Sequence, residues 1–77
     1  MDFPAPNLTL YTRANCSLCE KAAGLLLERH HAFTSVDISG DAALEALHGL
    51  DIPVLARGGQ VLLKGVFSKA RLEKVGL

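Results

Sequence analysis

Cys16 and Cys19 are the only cysteines of the chain, and they stand two residues apart in ANCSLCEKA, residues 14–22. Three roles suit that spacing: a dithiol that closes to a disulfide, half of a metal site, or two small apolar side chains that merely open a helix. A zinc site would need a second C-x-x-C or suitably spaced histidines. The chain offers His30 and His31, which are adjacent, and His48. That spacing is poor, and no metal ligand is assigned. All three histidines read as residues at helix C-terminal ends, where dipole and solvent account for them. Two further residues bear on the cysteines. Arg13 stands three positions before Cys16, where a cation can stabilise a thiolate or bind a substrate carboxylate. Pro53 opens an apolar run after the β-branched Ile52, a position where the missing ladder N–H is tolerated.

Length and composition bound the scaffold. The 77 residues suit one domain, 1–77, and 49% hydrophobic residues are enough for a single compact core. A chain of this size buries only about 60% of the surface its unfolded form exposes, so its stability is modest. No apolar run is long enough to cross a bilayer, and MDFPAPN has neither the basic nor the apolar region of a secretory leader. Two cysteines are too few for a disulfide-stapled secreted scaffold. These features place the protein in the reducing cytoplasm, with no membrane partner. Net charge is zero, but residues 1–51 carry three basic and seven acidic side chains, and residues 52–77 five basic and one acidic. Without an overall basic excess, nucleic acid is not expected as a partner.

The periodicities predict seven elements. NLTLYT (7–12) is a strand with alternating leucines. From Cys16 to about Arg29 the pattern is helical, with Leu18, Ala22, Leu25 and Leu26 on one face and Asn15 as N-cap. Gly24, costly in a helix, would let it lie close to a sheet. FTSVDI (33–38) is a second strand. Asp41 caps a short helix over 42–48 with Leu44 and Leu47 inward, and Gly49 ends it as a left-handed residue. PVLAR and QVLLKG form a hairpin around Gly58-Gly59. Ser68 caps a last helix, stapled by Phe67 and Leu72. The order β-α-β-α-β-β-α fits a mixed four-stranded sheet with helices on both faces.

This order places the C-x-x-C at the start of the helix that follows the first strand, the position of a redox dithiol near a βαβ unit. A helix N-terminus presents free N–H groups and positive dipole charge, both favouring a thiolate. Cys16, at the mouth, is expected to be the nucleophile, with a pKa below about 8.5 and inside the range of roughly 3.5–7.5 found at helix starts or beside cations. Cys19, one turn further in, is expected to resolve the mixed disulfide.

LTLYTRANCSLCE, VDI at 36–38, LHGLDIPVL at 47–55 and the hairpin ending at Gly65 together resemble the glutaredoxin branch of the thioredoxin-fold superfamily, and more closely a group of short glutaredoxin-like proteins. The resemblance covers nearly the whole chain. It implies a thioredoxin-like α/β fold with sheet order 2-1-3-4 and a thiol–disulfide oxidoreductase acting on protein or glutathione mixed disulfides. Cys16 would attack and Cys19 resolve. Pro53 would be a cis-proline facing the disulfide, and the Ile52 backbone would pair with an incoming peptide or glutathione. Arg13 would face the glycine carboxylate of glutathione. No cofactor is required; glutathione or a reductase would donate electrons, and a monomer is expected. The chain departs from the glutaredoxin pattern in two places. Its motif is Cys16-Ser17-Leu18-Cys19 rather than Cys-Pro-Tyr-Cys, and KGVFSKA (64–70) has one glycine and no carboxylate. Three alternatives stand beside the oxidoreductase: a binding or delivery module for metal or an iron–sulfur cluster, a structural zinc site, and a redox-inactive adaptor.

Overall fold

The computed structural model describes residues 7–77; the segment read as lacking a leader lies largely outside them. Seven elements follow in the expected order: β1 (Leu8–Thr12), α1 (Ser17–Glu28), β2 (Thr34–Asp37), α2 (Ala42–His48), β3 (Val54–Arg57), β4 (Gln60–Lys64) and α3 (Lys69–Lys74). The sheet runs β2-β1-β3-β4. β1 pairs parallel with β2 and antiparallel with β3, and β3 pairs antiparallel with β4.

Strand alternation divides the two faces of the sheet. Leu8 and Leu10 of β1, Leu55 of β3 and Leu63 of β4 form one core with Ala22 and Leu26 of α1 and with Phe67 and Leu72. The register aligns Leu10 with Leu55 and Leu55 with Leu63, so these side chains stack across the sheet beneath α1 and α3. Tyr11, paired with Val54, points to the opposite face, where its ring stacks on His48 of α2 with centroids 4.5 Å apart. Helices therefore cover both faces, and β1 lies at the centre with neighbours on either side.

The turns follow from local chemistry. Gly58 and Gly59 have φ of 55° and 86°, the left-handed pair that a two-residue hairpin needs. The Asp41 carboxylate accepts from the Leu44 N–H at 3.1 Å and the Ser68 hydroxyl from the Arg71 N–H at 3.1 Å, capping α2 and α3 as expected. Phe67 and Leu72 are both buried.

The structure corrects several expectations. The N-cap of α1 is Cys16, not Asn15, which instead takes a left-handed φ of 60° in the preceding loop. Leu18 is 42% exposed and Leu47 68% exposed, so neither faces the core. Cys19 takes the inward place of the first turn of α1, and the seven-residue α2 buries none of its residues, Leu47 included. Gly24 approaches nothing, since a side chain there would find no atom within 4 Å. Gly49 is right-handed, with φ −54° and ψ −33°. Its need for glycine is steric, because a Cβ would meet the Glu45 carbonyl oxygen at 2.5 Å. Arg29 and His31 act beyond the helix dipole: Arg29 Nε donates to the Leu77 carbonyl at 2.9 Å, and His31 Nε2 lies 2.9 Å from the same oxygen. Arg29 also pairs with Glu73 of α3 at 3.6 Å, tying the two helices of one face together.

Candidate functional site

β1 ends at Thr12, in the middle of the sheet, and the chain turns through Arg13, Ala14 and Asn15 into α1. Asparagine suits the left-handed turn because its short polar side chain tolerates positive φ. Cys16 follows in extended geometry (φ −106°, ψ 106°) with its Sγ directed back over the helix start, where it accepts from the Cys19 N–H at 3.1 Å. Cys16 and Cys19 are joined as a disulfide, with Cα atoms 5.2 Å apart. Cys19 is buried against the core, and Cys16 is half-exposed. The half of the pair accessible to a partner is therefore the half at the helix N-terminus.

Pro53 reaches the same end of the sheet from the other direction. The antiparallel register pairs Tyr11 with Val54, so the residue before Val54 stands level with the end of β1. The Ile52–Pro53 bond is cis, as the resemblance implied. Gly65 N–H holds this loop by donating to the carbonyls of Asp51 (3.1 Å) and Pro53 (3.0 Å), and Lys64 pairs with Asp51 at 3.5 Å. Among the described residues no backbone hydrogen bond engages Ile52.

An open pocket of about 220 Å³ lies on the opposite side of the disulfide, toward β2. Thr12, Arg13, Asn15, Cys16, Cys19 and Glu20 form most of its wall. The structure thus brings Arg13, Cys16 and Cys19 into one pocket, while Ile52 and Pro53 lie outside its lining, on the β3 side of β1.

Arg13 lines this pocket, but its guanidinium is engaged elsewhere. Nη1 donates to Glu45 Oε2 at 3.1 Å, Nη2 lies 2.6 Å from Glu45 Oε1, and Nη2 donates to the Gly49 carbonyl at 3.3 Å. Glu45 Oε1 is buried and makes no well-aligned hydrogen bond among the described residues, so its close contact with Nη2 is ionic in character. Arg13 therefore joins the loop before the cysteines to the C-terminal end of α2. Its charge also reaches Asp37. That carboxyl is held below its ordinary range first by the Ser39 backbone N–H, at 2.8 Å, then by the Ser39 hydroxyl, and further by Arg13.

Sequence reasoning missed Glu45 and Gly49 at this site. Both stand more than thirty positions from Arg13, and no local spacing marks either as its partner. The Tyr11–His48 stack was equally hidden, since His48 reads as a helix-end residue. Among the described residues no group of three or more His, Cys, Asp or Glu side chains is placed to hold a metal ion, and no helix is long and apolar enough to cross a membrane.

Comparison with known proteins agrees with this geometry. The sequence profile of the "Glutaredoxin-like domain (DUF836)" family matches residues 7–75. A structural-genomics target protein from X. campestris, solved by X-ray crystallography, is 45% identical over 87% of this chain and 91% of its own, with a TM-score of 0.79. A glutaredoxin from Archaeoglobus fulgidus shares 16% identity over 91% of this chain and 85% of its own, with a TM-score of 0.68. A buckwheat glutaredoxin in complex with glutathione shares 15% identity over 75% of this chain and 60% of its own, with a TM-score of 0.61. At those identities the two glutaredoxins show a common fold. No curated protein matches the chain.

Proposed function

The chain belongs to the glutaredoxin-like domain family, and on that premise we propose that it is a thiol–disulfide oxidoreductase using Cys16 and Cys19. The observation that carries the reading is the asymmetry of the pair: a half-exposed Cys16 at the mouth of α1, with a backbone N–H on its sulfur, and a buried Cys19 one turn behind. In the reduced protein the same N–H and the helix N-terminus favour the Cys16 thiolate.

The reaction runs in two exchanges. Cys16 Sγ⁻ attacks one sulfur of a substrate disulfide, forming a mixed disulfide and expelling the other sulfur as a thiolate, which takes a proton from solvent. Cys19, losing its proton to form the thiolate, attacks Cys16 Sγ and expels the second substrate sulfur as a thiolate, which is protonated in turn. The substrate disulfide gains two electrons and two protons, and the protein dithiol becomes the Cys16–Cys19 disulfide. A thiol donor such as glutathione, or a reductase, restores the dithiol, so no bound cofactor is needed. The unengaged backbone of Ile52, at the same end of the sheet as the disulfide, is suited to pair with an extended substrate segment. A reducing compartment such as the cytoplasm supplies the donor.

Intact-mass titration in glutathione buffers of stepped redox ratio tests this. The expected result is reversible passage between dithiol and intramolecular disulfide. Cys16→Ser should abolish disulfide reduction, and Cys19→Ser should accumulate the mixed disulfide. Reduction that survives Cys16→Ser, or a mass that never responds to the buffer, would overturn the mechanism in favour of an inert or binding module.

A further inference from the structure

The dithiol pocket contains one cation, and the fold neutralises it. Among the described residues lining the pocket, the charged ones are Arg13 and Glu20. Glu45 engages both terminal nitrogens of Arg13, at 3.1 and 2.6 Å, and the Gly49 carbonyl takes a further bond from Nη2. A guanidinium held by a carboxylate on its two terminal nitrogens has spent the fork with which it would grip a substrate carboxylate. Glu20, in the first turn of α1, forms no ion pair among the described residues and adds a carboxylate to the pocket wall. Across the Pro53 loop the same arrangement recurs, with Lys64 paired to Asp51 at 3.5 Å.

We propose that Glu45 is a specificity-determining residue of this site: by occupying Arg13 it withholds the pocket's cation from anionic disulfides and biases exchange toward neutral or cationic ones. Glu45 acts through Arg13 and touches neither sulfur. The bias rests on the dithiol chemistry proposed above, and it concerns which disulfides that chemistry takes. Disulfides next to lysine or arginine side chains in protein partners are favoured over glutathione disulfide, whose halves each carry a net negative charge.

The test measures kcat/KM for reduction of three small disulfides: anionic glutathione disulfide, neutral bis(2-hydroxyethyl) disulfide and cationic cystamine. Each rate is divided by that of dithiothreitol with the same disulfide, which removes intrinsic reactivity. Wild type should prefer cystamine at low salt, and the preference should narrow as salt screens the field. Glu45→Gln should shift the glutathione-to-cystamine ratio toward glutathione by about two- to fivefold, the span expected of a partly exposed ion pair. Arg13→Gln should shift it the opposite way, and Glu45→Asp should leave it near wild type. Opposite signs are decisive, because loss of a merely structural pair would move both variants in the same direction. Equal ratios in all variants, same-sign shifts, or a wild-type preference for glutathione disulfide at low salt would overturn the proposal. Should the variants fail to fold, the wild-type salt dependence decides alone. Failure of wild type to reduce the neutral disulfide would instead sink the oxidoreductase reading itself.

Discussion

Replacing Gly49 by alanine sets two physical effects against each other. Gly49 has right-handed helical angles and caps α2, its N–H donating to the Glu45 carbonyl at 2.8 Å. By backbone preference alone, Gly49→Ala should stabilise the protein by up to about 1 kcal/mol. The packing opposes this. A Cβ at Gly49 would stand 2.5 Å from the Glu45 carbonyl oxygen, where ordinary contact begins near 3.4 Å. That oxygen is backbone and cannot rotate away, so the end of α2 must move by a large part of an ångström. Overpacking of this kind costs about 1–3 kcal/mol. The shift also carries the Gly49 carbonyl away from Arg13, now 3.3 Å distant, and loosens a hydrogen bond from a charged donor. The net expectation is a loss of about 1–2 kcal/mol, after the helical gain is subtracted and the loosened Arg13 bond is added. For a domain of this size that lowers Tm by roughly 4–16 °C. Thermal and urea unfolding, followed by circular dichroism on the oxidised protein, measure it. An unchanged or raised Tm would refute the steric argument and restore the simple helix-cap reading.

Two further expectations follow from the packing and the charges. Phe67 is buried at the junction of β4 and α3 and belongs to the main core, so Phe67→Ala should cost about 3–5 kcal/mol in urea unfolding; that is a large share of the roughly 4–12 kcal/mol a domain of this size has in total, so the urea midpoint should fall clearly, and a loss too small to move it would show the core to be placed elsewhere. Asp37 has a folded pKa lowered from 3.8, chiefly by the Ser39 N–H. Its contribution is therefore present above the unfolded value and disappears as pH falls through the folded one. The stability difference between wild type and Asp37→Asn should be constant above about pH 5 and vanish once both states are protonated; a gap that persists unchanged through acid titration would deny the Ser39 interaction its role.

Much of this protein can be read from its sequence, and the physical reason is locality. The alternation of Leu8 and Leu10, the Gly58-Gly59 pair, the Asp41 and Ser68 caps and the Phe67–Leu72 staple each depend on neighbours within a few residues. Each appears where local chemistry puts it. The C-x-x-C is local in the same sense. Two cysteines three positions apart at a helix start must lie close together, whatever surrounds them, and they do. The sheet order and the cis bond before Pro53 came less from periodicity than from the resemblance of several short motifs in one order.

What only the tertiary structure decided is which side chains meet across the chain. Leu18 and Leu47 fit the helical period but are exposed, because the width of a buried stripe depends on what packs against it. Gly49 looks like a left-handed cap until α2 closes around the Glu45 carbonyl and makes its missing side chain the requirement. Arg13 stands at the right distance from Cys16 to serve the dithiol, and its spacing implied that role. Its partner is Glu45, thirty-two positions away, set beside it by the crossover from β2 through α2. A charge's neighbours in sequence say what it could do. Its neighbours in space, which the sequence pattern does not encode, determine whether that charge is free to do it.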